Sequence, residues 1–406
     1  MSLTRIQYPS PGFSQHWKEP AGKNMLKRIV SLPSEQDIET FNQLYVRCDT
    51  HADQVVLDLF EGIGHKQGHA LLNTLLEQGL ESVPDAPESL RALYSESLLV
   101  PSWVNEELMK TGAEFCQRAG LFSLVTLRNY SLMGGYESAA INKPLIYTGA
   151  LKAGPAKRLS DTLAFWVDVT GNDALKPGAV GFNAAIKVRI IHAMARHYTR
   201  KATDWSDKQW GIPVNEGDMV ATYLGFSLVF LEGLYMQGFR PSPQEINGVF
   251  HLWKYIGHLL GIDHHLLPDN EQEAIQTLYK WTMTQPPADA DTIALAHALM
   301  NAPLTATFPV KTWQKKLLVK IYLGFNYYYL GRHACKRMQL PCTIFRFIPY
   351  ISALINRLSE YRIWSSSSIR QRAISKGRKA QIEVTDAFLK STGFGKHAIH
   401  KHSINS

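Results

Sequence analysis

The sequence predicts an all-α fold built as one large helical domain. Apolar residues recur at three- and four-residue spacing through most of the chain, almost no segment alternates with period two, and no internal repeat is present. Hydrophobic residues make up 45% and charged residues 19% of 406 residues, a low-charge composition that suits much buried helix.

Residues 1–33 are rich in Pro, Ser and Gly and read as an irregular arm. Helical pattern begins at Ser34, a natural cap, with Phe41, Leu44, Val55, Val56, Leu59 and Phe60 on apolar positions. Gly64, Gly68 and Gly79 punctuate short helices, and Ser102 is placed to cap a helix reaching Arg118. After Leu121 to Tyr130 comes a linker with Gly134, Gly135, Glu137 and Pro144, the composition of a turn beside a site. The helix from Pro155 to Thr170 stops at Gly171. On it Arg158 and Thr162 are four apart and face one way, with Asp161 beside them. Spacing alone reads Arg158 and Asp161 as an ion pair on a solvated face.

Gly178 to Arg200 is the stretch around which the rest is organised, an unbroken helix that is apolar on nearly every side. Arg189 and Arg196 lie one turn before and one turn after His192, so an imidazole and two guanidiniums share one stripe. Such a stripe needs a buried anionic partner. The plain alternative is a hydrogen-bonded packing histidine; haem would instead bring an iron for the imidazole and two carboxylates for the guanidiniums.

Asn215 is expected to cap a single long apolar helix through Tyr235, and Ser242-Pro243 with Glu245 opens another that ends at Gly261. His251 and His258 on the latter lack a carboxylate partner and read as packing residues. Helical segments then follow at 271–284, 289–300, 310–332 and 344–358, the last two expected as ordinary helical core rather than a surface lying on lipid. None reaches the run of about 18 apolar residues that a membrane span needs.

Net charge is +8, but nine basic and only two acidic residues fall between Arg362 and Ser406, which leaves the preceding chain nearly neutral. Nucleic acid is therefore not an expected partner of the body. The segment 362–406 is expected as a solvated basic tail, with peripheral contact to an anionic membrane through it as the alternative. This divides the chain into an arm (1–33), a helical domain (34–361) and a tail (362–406). Four cysteines without CxxC spacing argue against a structural zinc site or a disulfide scaffold, and with no apolar leader at the N-terminus a cytoplasmic location is expected. Sequence marks of the commonest enzymes are absent: no GxSxG, no P-loop, no GxGxxG opening a helix, and no CxxCH for covalent haem.

Four segments, KRLSDTLAFW (157–166), VRIIHAMARHY (188–198), WGIPVNEGDM (210–219) and GFRPSPQEINGVFHLWKYIGHLLGIDHHLLP (238–268), resemble the DUF2236 group of rubber oxygenases and fungal mycophenolic acid oxygenases. The resemblance runs from about Asp49 to about Gly331. It implies a globin-like helical core holding a b-type haem, with His192 at the position of the iron ligand and Arg189 and Arg196 beside the cofactor. It also implies distal-side roles for Arg158 and Thr162. Rubber oxygenases carry a lysine just before that threonine; here Asp161 stands there, which speaks against rubber itself as substrate. The implied activity is dioxygen-dependent oxidation of a hydrophobic small molecule, an isoprenoid alkene, with Asp161 or Glu137 as candidate base for an allylic proton. A haem-binding sensor without turnover is the alternative.

Overall fold

A computed structural model describes residues 13–149, 155–201, 204–306 and 310–391. Among these residues the chain is helical and no strand occurs. Of the stretch expected as an irregular arm, residues 13–33 are described and are partly helical, while residues 1–12 lie outside the described residues. A 3-10 turn, His16–Lys18, leads into α1 (Pro20–Leu26), with Pro20 at its first position. Trp17 is buried and donates from its indole to Thr282 Oγ1 at 2.8 Å, while Arg28 pairs with Glu232 and Glu271. Anchors so far apart in sequence leave no local period to read.

Ser34 caps α2 (Glu35–Asn42) in a reciprocal box with Asp37. Asp49 caps α3 (Thr50–Val56), which unwinds into a π turn at Leu57–Gly62 before α4 (His65–Gln78) and α5 (Glu88–Ser97). Asn105, not Ser102, caps α6 (Glu106–Arg118). Helix α7 (Leu121–Thr126) passes through a second π turn, Leu127–Leu132, to the short α8 (Met133–Gly135) and then α9 (Ala139–Tyr147). Helices α10 (Pro155–Val169) and α11 (Val180–Arg200) form a hairpin close to the expected bounds. After α12 (Asp207–Trp210), the single long helix expected from Asn215 is two, α13 (Glu216–Phe226) and α14 (Leu228–Met236). The break is at Ser227 (φ −106°, ψ −79°), whose Oγ donates to Tyr223 O at 2.8 Å and bends the chain there. By length and composition 216–236 would cross a membrane, yet 67% of its most apolar window is buried inside the protein.

The C-terminal half adds α15 (Pro243–Leu259), α16 (Glu271–Met283), α17 (Ala290–Thr305), α18 (Thr312–Arg337), α19 (Ile348–Ser365) and α20 (Ser367–Ser391). The segment expected as a solvated tail is therefore helical through Ser391 and packs on α6 and α10. Its buried positions, Ile374, Gln381, Thr385 and Phe388, follow helical spacing, and Gln381 donates to Cys116 O and Gly120 O. Arg372, Lys376 and Lys379 lie on the opposite, exposed side. A net charge summed along the segment conceals that division. The domain boundary expected at 361/362 falls inside α19.

Two glycines let α6 and α15 pack backbone to backbone. A Cβ on Gly112 would lie 2.2 Å from Gly248 O. Alanine gains up to about 1 kcal/mol of helix propensity, whereas overpacking costs about 1–3 kcal/mol and more against rigid backbone. Gly112→Ala is therefore expected to lower stability by about 2 kcal/mol in urea unfolding. Gly135→Ala, at a position where a Cβ meets nothing within 4 Å, serves as the control and should be neutral or better.

Candidate functional site

Helix α11 is positioned by its own apolar residues. Phe182, Ala185, Ile186, Ile190 and Ala193 are buried against neighbouring helices, which carries His192 into the interior. Its ring is partly buried, and Nδ1 is wholly so and makes no hydrogen bond. Burial, aided by the positive charge of Arg196 and opposed by Asp49, pushes the imidazole pKa down to about 4. His192 is neutral at pH 7, with a nitrogen lone pair free to bind a metal.

The anionic partners demanded by the flanking arginines come from α3 and its cap. Arg189 grips Asp49 through Nε (2.6 Å) and Nη2 (3.1 Å). Arg196 donates from Nε to Asp53 Oδ1 (2.7 Å), from Nη1 to Val214 O (2.8 Å) and from Nη2 to Asp49 O (3.1 Å). Gly261 (φ +83°) closes over the first pair, and a Cβ there would lie 2.2 Å from Asp49 Oδ2. His192, both arginines, Asp49, Glu216 and Gly261 border one cleft of about 290 Å³, counting space open to solvent. This corrects the expectation that Arg189 and Arg196 neutralise cofactor carboxylates. Their charge is already met by Asp49 and Asp53.

The α10 residues lie outside that cleft, on a helix packed against α11. Arg158 donates from Nη1 to the Tyr136 hydroxyl at 3.2 Å and lies over that ring. The expected Arg158–Asp161 pair does not form: Asp161 joins Lys157 at 2.8 Å, the i,i+4 neighbour, on an exposed face. Thr162 Oγ1 turns back to donate to Arg158 O at 3.0 Å. Glu137 is buried and paired with Arg337, with its pKa raised by burial against the opposing pull of that guanidinium.

One residue escaped sequence reasoning. Arg128, in the π turn 127–132, is buried with no carboxylate among the described residues. It donates to Asn129 Oδ1 and Leu299 O and stacks on Tyr322 with its charge 4.1 Å from the ring centroid. Burial pushes its pKa down to about 10, opposed by Tyr322 and Tyr136. A lone arginine within the apolar run LVTLRNYSL was the available signal. A separate cluster, Asp263, His264 and His265, brings three ligand-type atoms within 4.8 Å of one another on an open turn. His251 accepts from the Asn105 N–H and packs with His258 around Trp103, as expected for packing residues.

The catalytic-domain profile described as "ER-bound oxygenase mpaB/B'/Rubber oxygenase" matches residues 122–351, more than half of the chain. The chain belongs to this oxygenase family. Among relatives of the mpaB/rubber oxygenase family, the "Rubber oxygenase" of Streptomyces sp. (strain K30) is 25% identical over 205 residues. That alignment covers 48% of this chain and 50% of the relative, so the chain spans about half the length of the curated relative it matches. The solved structure titled "Structure of Latex Clearing Protein LCP in the closed state" superposes with a TM-score of 0.64 at 20% identity, covering 82% of this chain and 91% of that one. At that identity the likeness shows a shared helical fold.

The haem expected from the family can be tested against the residues present. His192 fits an iron ligand in its chemistry: it is neutral and its buried Nδ1 has no hydrogen-bond partner, and an unsatisfied buried polar atom costs about 1–3 kcal/mol. Arg158 and Arg128 are cations that meet no carboxylate among the described residues, so their charge is available to an anionic group.

Proposed function

We propose that this protein is a b-type haem-dependent oxygenase that uses dioxygen to oxidise a lipophilic, isoprenoid-like alkene. The observation that carries the reading is the state of His192: a neutral imidazole with an unbonded interior nitrogen, mid-way along the central helix, at the position that resembles the family's iron ligand. When bound, haem supplies the iron at which dioxygen is activated. His192 would hold that iron. The Arg189–Asp49 and Arg196–Asp53 pairs fix the pitch of α11 and so the direction of the imidazole. Arg158 offers N–H donors to negative charge that develops on oxygen, from a guanidinium that remains charged in apolar surroundings. Thr162 lies one turn further along the same helix, with its hydroxyl donated to Arg158 O.

Neither carboxylate considered as a base is assigned that step. Burial raises the Glu137 pKa, but its Oε2 accepts two N–H groups of Arg337. Asp161 faces solvent with Lys157. The presence of Asp161 where rubber oxygenases carry lysine favours a small isoprenoid over the polymer.

Oxygen uptake by the haem-loaded protein, followed at an electrode with squalene as probe, tests the proposal. Uptake per bound haem is expected to depend on the isoprenoid and to fall about a hundredfold in Arg158→Ala, the scale of removing one preorganised donor. A red protein that consumes no oxygen under these conditions would instead be a haem-binding sensor.

A further inference from the structure

Helix α19 is amphipathic in the reverse sense. The side it turns to the protein is polar: Ser352 Oγ donates to Gln237 Oε1 at 2.8 Å, Asn356 Nδ2 donates to Gln237 O at 3.0 Å, and Glu360 accepts the Arg240 N–H at 2.8 Å. Gly238 (φ +85°) permits this approach, since a Cβ there would lie 2.2 Å from Ala353 O. The outward side carries Phe347, Tyr350, Ile351, Leu354, Ile355 and Leu358, each 52–64% exposed. Single exposed apolar residues are ordinary, but a continuous ridge of them along a helix marks a surface that meets something apolar. The segment 344–358 was expected to be core; its helical period is indifferent to which side faces inward.

Charge distinguishes among the occupants. Arg346, Arg357 and Arg362 are exposed on or beside the ridge, and Glu360, the one acidic residue of the segment, is buried against Arg118. A second copy docked by a two-fold axis would bring these arginines together. A bilayer with anionic headgroups gains from each of them. Tyr350 and the neighbouring Tyr361, 68% exposed, are the ring-with-polar-tip side chains that settle at a headgroup boundary. We infer that α19 is a docking surface for an anionic lipid bilayer: the helix lies in the interface plane, its apolar ridge enters the acyl boundary, and Arg346, Arg357 and Arg362 rest on headgroup phosphates. The contact expected of the segment 362–406 is thereby placed on α19, which joins an apolar ridge to its arginines; the exposed side of α20 offers Arg372, Lys376 and Lys379, and residues 392–406 lie outside the described residues. The inference stands apart from the oxygenase reading.

Co-sedimentation of the full chain with phosphatidylcholine vesicles, with and without phosphatidylserine, tests it. The protein is expected to pellet with the phosphatidylserine vesicles, and less so at raised salt. The triple variant Ile351→Asp, Leu354→Asp, Leu358→Asp should partition at least tenfold less with an unchanged unfolding midpoint, because these side chains face outward. Reversing Arg346, Arg357 and Arg362 to Glu should remove the preference for anionic vesicles, each arginine contributing about fivefold. The proposal is overturned if the protein pellets with neither vesicle, or if binding survives the triple variant and is lost instead on neutralising Arg372, Lys376 and Lys379. It is equally overturned if the triple variant only converts a dimer into a monomer in protein that never bound vesicles.

Discussion

Arg118→Ala is expected to destabilise the protein by about 3–5 kcal/mol, the scale of breaking a buried ion pair from one side. Arg118 joins Glu245 and Glu360, and the three side chains are 0%, 1% and 3% exposed. Arg370 also reaches Glu245 at 3.0 Å, and the N–H groups of Ser242 and Arg240 each donate to one of the carboxylates at 2.8 Å. Removal of Arg118 leaves Glu360 with no ion-pair partner among the described residues. This junction ties α6 to α15, α19 and α20, so its loss loosens the C-terminal helices first. The pH dependence supplies a signature. Burial already raises the Glu360 pKa, with Arg118 as the largest opposing influence. Without Arg118 the folded-state pKa rises further above the unfolded value, so the variant's deficit is largest at neutral pH and shrinks as pH falls through that folded pKa. Adding Glu360→Gln should recover most of the loss. Urea unfolding at pH 7 and pH 5 checks both statements; a deficit below about 1 kcal/mol at pH 7 would place the junction among surface pairs in its energetics.

His192→Ala is expected to abolish the Soret band and hemin uptake while the helical circular dichroism spectrum persists, since alanine fits α11 without a change in backbone. A readout that needs no haem accompanies it. Burial holds the folded-state pKa of His192 at about 4 against an ordinary value of 6.5. Between those values the unfolded chain takes up a proton that the folded chain refuses, so stability is intact above pH 6.5 and is lost as pH falls toward 4. At full slope this is about 1.4 kcal/mol per pH unit, about 3 kcal/mol over the window. His16, also held at about 4 by burial and then by Arg337, contributes a similar loss. The alanine variant should therefore show a shallower acid slope than the wild type between pH 6.5 and 4. An unchanged slope would mean that His192 is not buried in its neutral form, and the iron-ligand assignment would fall with it.

Local signals carried the helices whose ends are chemically marked. Ser34 with Asp37 and Ser242 with Glu245 form the reciprocal boxes their spacing implies, and Gly171 follows the end of α10. Less was legible where a side chain's own back-bond or a long-range contact competes with local pattern. Ser227 breaks an apolar run that reads as continuous. Phe13, Trp17 and Met25 hold an N-terminal segment whose composition reads as irregular. The candidate site divides the same way. Spacing put Arg189, His192 and Arg196 on one side of α11, and they do border one cleft; spacing also paired Arg158 with Asp161, whereas Lys157 takes the carboxylate and Tyr136 takes the guanidinium.

The sequence by itself determined that the chain is helical, that one buried helix carries an imidazole between two guanidiniums, and that such a stripe must meet negative charge. These follow from the 3.6-residue period, which sets what shares a helix face whatever surrounds it. Tertiary structure decided that the charge comes from Asp49 and Asp53, separated from Arg189 and Arg196 by 140 and 143 residues, and that α19 turns its polar side inward. Those outcomes depend on which face of a helix meets which distant segment, and packing sets that rotation where periodicity cannot.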